Sequence, residues 1–411
     1  MIKINVTGII CYILATLFLG YEMALQVSPA VMAEELMQDI GLNARSLSFI
    51  SMAYFGAYAV MQIPSGMLFD KFNTKTVMTL SVAASTLGIY IFLISDSALV
   101  LALGRAITGF GSAFAFVGAL VIAHEWFAKK HFPILVGIAQ LIAALGAMFG
   151  EEPLAYVVNT YGWQQAVYNL SIAGALITLF IMFFVKNNRA NKLKKSTSSF
   201  RDIFARLRVL LQNKQVWYLA VFAFFCWGPV TVFTELWGVS FLKAHLNISK
   251  IAAAKLASSI WIGIAIGAPI IGFIAAKLNK NRSILIFCSI AGFIATLWFI
   301  FGPADNIVVA HALAMVFGIA AASNILVFNM VLLHNSENEN TGAAIGFMNM
   351  AVVAGGALLQ PIVGSIIESS WDGFIRNGAH WYSANDYQSG LAIIPLCFLI
   401  CVITSTYAIK E

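Results

Sequence analysis

Apolar runs of about 20 residues recur along the whole chain, and they constrain the fold more than any other feature. A run of this length is what an α-helix needs to cross the hydrocarbon core of a bilayer. Of the 411 residues, 60% are hydrophobic and 10% are charged, whereas soluble domains carry about a quarter charged residues. The sequence therefore predicts an all-α polytopic membrane protein and excludes a soluble globular one.

Twelve of these segments are long enough to be transmembrane helices. Their predicted bounds are 7–32, 46–69, 77–95, 98–123, 133–158, 164–185, 215–240, 256–276, 283–302, 306–333, 342–367 and 388–408. The longest connection, 186–214, divides them six and six, which predicts an N-terminal six-helix bundle over 1–185 and a C-terminal one over 215–411. Part of that connection, 192–214, is amphipathic, so it either lies on the inner membrane face or forms a solvated linker helix.

The basic residues predict the orientation of the chain in the membrane. If the N-terminus is cytoplasmic, most of the 24 Lys and Arg residues fall on cytoplasmic ends, as the positive-inside rule requires. Two connections do not follow the rule, because 334–341 is acidic although cytoplasmic and 243–255 is basic although external. We expect an inner (plasma) membrane protein with both termini in the cytoplasm. Because its basic residues lie in loops, the net charge of +6 does not indicate nucleic-acid binding.

The fourth predicted span carries Arg105 only seven residues after its start. Placing a guanidinium in hydrocarbon costs from about 3 to more than 10 kcal/mol, so this group must face protein or water. The span continues with the small residues Gly109, Gly111 and Gly118, which allow another helix to approach closely. The pattern predicts a buried charge on a helix that packs tightly inside a bundle.

A short motif occurs at equivalent positions of the two halves. GMLFDKFNTK begins at Gly66 after the second span, and GFIAAKLNKNR begins at Gly272 after the eighth, 206 residues later. Ala276 of the second copy replaces Asp70 of the first, so only the N-terminal copy keeps the acid. Such a repeat between two six-span halves is typical of alternating-access transporters.

The chain resembles the major facilitator superfamily over essentially its whole length. The segment Gly66–Lys75 is similar to the family's loop between spans two and three, and Arg105-x3-Gly109-x-Gly111 is similar to its fourth span. The resemblance implies two six-helix bundles around a central cavity, lined mainly by spans 1, 4, 7 and 10. It also implies that the bundles rock between outward-open and inward-open states. The antiporter signature has proline where this chain has Glu151, which disfavours a drug exporter.

Acidic residues within the predicted spans are the candidates for proton coupling. An isolated carboxylate such as Glu22 must be protonated or paired in low dielectric, so it is a partner for Arg105, a contact for a substrate amine, a proton carrier or part of a fixed structural pair. The adjacent Glu151 and Glu152 point about 100° apart on a helix. Two nearby carboxylates do not both ionise easily in a membrane, so we expect this pair, with Glu22, to couple transport to protons. The alternative is that both acids are solvated at the external mouth.

Five residues are predicted to bind substrate: Glu22, Arg105, Glu235, Trp237 and Asn324. The Arg105 guanidinium is suited to clamp a carboxylate or phosphate, although it can instead tie two helices together. Glu235 and Trp237 follow a Gly-Pro break in span seven, and they either hold a cationic group or lie at the outer interface. Asn324 in span ten is a candidate hydrogen-bonding residue.

A cluster of charged residues is predicted to form a cytoplasmic gate, with pairs that form in one state and break in the other. Its members are Asp70, Lys71, Lys75, His124 and Glu125. The sequence has no metal-ligand spacing, nucleophile–base pattern or phosphate-binding loop, and its five cysteines lie in apolar runs. We therefore expect no cofactor, no metal and no enzymatic activity.

The expected function is secondary active transport of a small polar organic solute, driven by proton symport. The mixed charges within the spans suit an amino acid, a short peptide or an organic anion as the substrate. Two alternatives remain: a proton-driven efflux antiporter for drugs or siderophore-like compounds, and a non-transporting membrane sensor. We expect the partners to be the substrate, protons and the lipid bilayer, and the protein to be a monomer.

Overall fold

The computed structural model describes residues 6–128, 131–188, 208–303, 306–334, 341–376 and 378–410, without the side chains of residues 70, 133 and 341–343. The helices before the central connection are Val6–Val27, Pro29–Ile40, Ala44–Lys71, Thr74–Leu93, Ala98–Ser112, Ala115–Trp126, Phe132–Tyr161 and Trp163–Phe184. The predicted amphipathic segment 192–214 lies mostly outside the described residues.

The helices after the central connection follow the same alternation of long and broken elements. They are Lys214–Val232, the π-helical segment Phe233–Trp237, Gly238–Leu246, Lys250–Leu278, Asn281–Phe301, Ile307–Ala322, Ile325–Leu333, Thr341–Ser370, Ala384–Leu391 and Ile393–Tyr407. Strands β1 (Ile375–Arg376) and β2 (Ala379–His380) form a small antiparallel hairpin before the last helices.

Twelve helical stretches are long and apolar enough to cross a membrane, which confirms the predicted number of spans. Spans 1 to 6 are Val6–Val27, Ala44–Phe69, Thr74–Leu93, Ala98–Trp126, Ile134–Tyr161 and Trp163–Phe184. Spans 7 to 12 are Lys214–Leu246, Lys250–Leu278, Asn281–Phe301, Ile307–Leu333, Ala344–Ser370 and Ala384–Tyr407. The predicted first span was wrong at its end, because the helix stops at Val27 and a separate helix begins at Pro29. Proline fits the first turn of a new helix, where its missing N–H needs no partner.

The two halves of the chain contact each other along two pairs of spans. Span 2 packs against span 11, and span 5 packs against span 8. At one end of the first pair, Gly364 lies so close to Ala44 and Ser48 that a methyl group there would overlap both. Toward the other end, a methyl group on Gly346 would be 3.7 Å from the nearest atom of Ile63. The halves are therefore closest at the Gly364 end, which the charge pattern predicts to be external.

Candidate functional site

Arg105 is only 1% exposed, so the predicted intramembrane charge is buried inside the protein. Its Nη1 atom donates a hydrogen bond to the carbonyl oxygen of Leu25 at 2.9 Å, and its guanidinium carbon lies 4.4 Å from the centre of the Tyr54 ring. Its Nε and Nη2 atoms have no hydrogen-bond partner among the described residues. These two donors share one edge of the guanidinium, and that edge binds carboxylates in a bidentate manner.

Glu22 is buried beside this group, but it does not form a direct ion pair with Arg105 in the described part of the chain. The Tyr54 hydroxyl donates a hydrogen bond of 2.7 Å to Glu22 instead. The ring of the same tyrosine lies against the guanidinium, so Tyr54 links the two charged groups. The predicted Glu22–Arg105 pair is therefore corrected to an indirect contact, and the bidentate edge of Arg105 remains unfilled.

Glu235 contributes a carboxylate from the C-terminal half. It lies in the π-helical segment Phe233–Trp237, which follows Pro229, and it is fully buried. Its Oε1 atom accepts a hydrogen bond of 2.7 Å from Gln26 of span 1, whereas Oε2 has no partner among the described residues. A π-helical turn often occurs at a functional site. Here it lies where the Glu235 side chain contacts the other half of the protein.

Glu151 and its neighbour Glu152 occupy different surroundings. Glu151 is fully buried and accepts hydrogen bonds from the Ser258 hydroxyl at 2.6 Å and from the Trp261 indole N–H at 3.2 Å. Both donors belong to span 8, so Glu151 joins the two halves. Glu152 is only half-buried. The two acids therefore do not act as an equivalent pair in this conformation, because the helix turns their side chains to different sides.

The four buried ionisable residues form one electrostatic group, which we call the charge cluster. Glu235 lies within electrostatic range of the other three members. The members of the charge cluster are Glu22, Arg105, Glu151 and Glu235. Three carboxylates thus share one guanidinium in a region where charge is costly.

Trp237 and Asn324 carry further unfilled polar atoms. Trp237 is completely buried, which rules out the alternative position at the outer interface, and its ring centre lies 6.1 Å from that of Tyr387. Its indole N–H has no partner among the described residues. Asn324 is 5% exposed and lies at the break in span 10, with its Oδ1 atom also unpartnered in the described part of the chain. Both groups are buried polar atoms that a ligand can satisfy.

Comparison with known proteins identifies the family. The Major Facilitator Superfamily model matches residues 9–360. The chain belongs to this superfamily. It is a multi-pass membrane transporter of small organic solutes and not an enzyme.

Two curated relatives and one solved structure illustrate the similarity of this superfamily member to known transporters. A probable sulfoacetate transporter, SauU of Cupriavidus necator, is 23% identical and aligns over 88% of this chain and 87% of its own. The hexuronate transporter of Escherichia coli is 26% identical over 60% of this chain and 61% of its own. The crystal structure of the nucleoside transporter NupG has a TM-score of 0.78 at 14% identity, covering 98% of this chain and 100% of that one. At this identity, the structural likeness shows the fold alone.

The predicted gate residues of this superfamily member contact elements of the N-terminal half. Glu125 is 9% exposed and accepts a hydrogen bond of 2.8 Å from the Thr74 hydroxyl. The backbone N–H of Lys75 donates to Asn187 at 3.1 Å, while Lys71 and His124 are exposed. The side chain of Asp70 lies outside the described residues. The recorded contacts of Glu125 and Lys75 therefore connect span 3 to the ends of spans 4 and 6, and the gating role remains a prediction.

Contacts at the opposite end join the two halves by charge. Lys243 forms an ion pair with Glu34, and Lys250 forms one with Glu35. The backbone N–H of Ala44 also donates to the Glu368 carboxylate at 3.2 Å. The sequence interpretation did not include these pairs. They explain why the basic segment 243–255 departs from the positive-inside rule, because its lysines face acids of the N-terminal half.

Sequence reasoning also missed Gln26 and Ser258 and favoured a packing role for Tyr54. A partial signal existed for Gln26, which lies four residues after Glu22 and therefore on the same helix face. Ser258 and Tyr54 carried no such signal, because serine and tyrosine are common in packed membrane helices. Their roles depend on which helix lies opposite them.

Proposed function

We propose that this transporter imports small organic anions together with protons. One observation carries the proposal: the Nε and Nη2 edge of Arg105 is buried and unfilled. A carboxylate or sulfonate would satisfy both donors at once. The printed names of two relatives point to the same chemistry, since sulfoacetate and hexuronates are organic acids. Amino acids and short peptides then become comparison substrates instead of the preferred class.

The charge cluster supports proton coupling. An anion at Arg105 adds negative charge to a buried region that already contains the carboxylates of Glu22, Glu151 and Glu235. Like charges at short distance in low dielectric disfavour one another. Uptake of a proton by one carboxylate would offset the charge of the substrate, so anion and proton would bind together. This is the condition for symport.

Within this proposal, each member of the site has a different task. Arg105 binds the acid group, and Trp237 and Asn324 offer hydrogen bonds to the rest of the solute. Glu22 and Glu235 adjust the charge beside the guanidinium. Glu151 is the main proton-coupling candidate, because its two hydrogen bonds join spans 5 and 8 and depend on its acceptor oxygens. Glu152 has a secondary part in coupling.

We further propose the surroundings in which this transport takes place. Residues 1–185 and 215–411 act as two bundles connected by 186–214. The protein works as a monomer in the plasma (inner) membrane, with both termini cytoplasmic, as the distribution of Lys and Arg supports. In this orientation, the ion pairs of Lys243 and Lys250 close the external side.

Uptake into proteoliposomes tests the proposal. The purified full chain would be offered pools of sulfonates, sugar acids, dicarboxylates, amino acids, dipeptides and neutral sugars, with and without an inward proton gradient. We expect an acidic pool to accumulate and the gradient to increase that accumulation. Arg105→Lys keeps the positive charge but loses the bidentate edge, so we expect uptake to fall by about 10- to 100-fold.

Glu151→Gln, with Glu152→Gln as its matched control, tests the coupling. We expect Glu151→Gln to abolish gradient-driven accumulation while counterflow exchange continues, and Glu152→Gln to reduce accumulation less. Uptake of neutral solutes that is insensitive to Arg105→Lys would overturn the proposed substrate class. Gradient-driven uptake that survives Glu151→Gln and the double variant would overturn the coupling mechanism. A folded protein that transports none of the pools would contradict the importer altogether.

A further inference from the structure

A polar groove lies far from the charge cluster, where the first turn of span 7 meets the end of span 12. Its volume is about 720 Å³, and its lining includes Lys214 and Lys410. Both lysines are exposed. No acidic side chain lines the groove among the described residues. Two ammonium groups on one groove without a nearby carboxylate favour an anionic occupant.

The fold fixes the two lysines beside each other. The Gln215 side chain donates a hydrogen bond to the carbonyl oxygen of Ala408 at 3.1 Å and accepts one from the N–H of Lys410 at 3.0 Å. Asn213 caps the start of the same helix by accepting from the N–H of Gln215 at 2.9 Å. The chain end is thus fastened to the first turn of span 7. The positive end of that helix dipole adds to the charge of the lysines.

The rest of the groove is suited to lipid and not to a small water-soluble anion. Its lining continues along the two spans with Tyr218, Val221, Ile403 and Tyr407. Tyr407 is 85% exposed, and Ile403 is 51% exposed. Tyrosine is enriched at the membrane–water interface, where its ring meets acyl chains and its hydroxyl meets headgroups. The groove therefore has a basic end and an apolar wall that runs toward the membrane interior.

We infer that this groove binds an anionic phospholipid. Lys214 and Lys410 hold the headgroup phosphate, and the wall of Tyr218 and Tyr407 contacts the start of the acyl chains. Basic pockets between transmembrane helices recognise anionic headgroups in this way. The inference is independent of the proposed transport function, and only the choice of leaflet depends on the proposed orientation.

Native mass spectrometry of the full chain tests this site. Protein in detergent would be titrated with phosphatidylglycerol, phosphatidylcholine or inorganic phosphate. The double variant Lys214→Gln/Lys410→Gln removes both charges, and Lys277→Gln/Lys280→Gln is the matched control, because these lysines are also exposed. We expect phosphatidylglycerol adducts on the wild type and the control, and about fivefold fewer on the double variant, since each surface lysine adds about 1 kcal/mol to anionic-lipid attraction.

Two results would overturn the lipid site. One is an equal number of phosphatidylglycerol adducts on the double variant and the control. The other is binding of inorganic phosphate that displaces the lipid completely, which would show a simple anion site. A third variant, Tyr407→Ser, separates the apolar wall from the charges: we expect it to weaken lipid adducts and to leave phosphate binding unchanged, and an unaltered lipid titration would count against the wall.

Discussion

Spans 4 and 10 occupy corresponding places in the two halves and share a backbone design, yet only one of them carries a charge. Span 4 is interrupted between Ser112 and Ala115, and span 10 between Ala322 and Ile325. In each, a glycine touches the backbone of a neighbouring span: Gly109 meets the carbonyl oxygen of Tyr54, and Gly318 meets that of Ile260. The two close approaches thus repeat in the two halves.

The chemistry does not repeat. Four residues before its contact glycine, span 4 has Arg105, whereas span 10 has Ala314 at the equivalent place. Both positions are buried, at 1% and 0% exposure. Close helix packing needs small residues in both halves, whereas a single binding site needs only one guanidinium. The comparison teaches that the fold is symmetric in its packing and asymmetric in its function.

The largest effect is expected from breaking the shared packing. Gly109→Val and Gly318→Val each place a side chain against a carbonyl oxygen, so the helices must separate. Overpacking of this kind costs about 3 kcal/mol or more, and we expect similar losses of folded protein for both variants. Size-exclusion yield and thermal unfolding would measure the effect.

Gly56→Val and Gly272→Val provide one control in each half, because a methyl group at either position would meet no atom within 4 Å. These controls are expected to fold well. If Gly318→Val were tolerated while Gly109→Val was not, the two close approaches would not be equivalent.

A smaller effect on stability, but a large one on transport, is expected from removing the asymmetry. Arg105→Met makes span 4 apolar like span 10. Replacing a buried charge by an apolar side chain of similar size is often neutral or stabilising, so we expect thermal unfolding to be unchanged or raised. Anion uptake should fall by about 100-fold, because two charge-assisted hydrogen bonds are lost. Marked unfolding of this variant would assign Arg105 a mainly structural role.

The smallest effect is expected where the two halves are joined at their outer ends. The Lys243–Glu34 pair is partly exposed, so Lys243→Gln should change the free energy of unfolding by only about 0.2 to 1 kcal/mol, and less at high salt. Lys255→Gln serves as the comparison on the same segment. A chemical-denaturation series at low and high salt would measure both variants. A large, salt-independent loss would mean that this contact carries more than a surface ion pair.

Much of the architecture could be predicted from sequence, because hydropathy is a local property of the chain. The number of spans and the burial of Arg105 follow from run length and from the cost of charge in hydrocarbon. The end of the first span was less accessible. An apolar count continues through Ser28 and Pro29, although the backbone begins a new helix there.

The candidate site was predicted only in part. Its charged members were visible as acids and a base within apolar runs, but their partners were not. Glu22 contacts Tyr54 instead of Arg105, and Glu151 contacts span 8 while Glu152 does not share its surroundings. The periodicity of one helix shows which of its residues share a face, yet it contains no information about the helix that packs opposite.

The sequence by itself determined that this chain crosses a membrane twelve times, repeats a motif in two halves and buries one arginine. These properties depend on composition and spacing along single segments. Only the tertiary structure decided that the bidentate edge of Arg105 is unfilled, that Glu151 and Glu235 join the halves, and that Lys243 and Lys250 meet acids. The physical reason is that hydrogen bonds and ion pairs act over a few ångströms, so they depend on the rotation and packing of helices far apart in sequence.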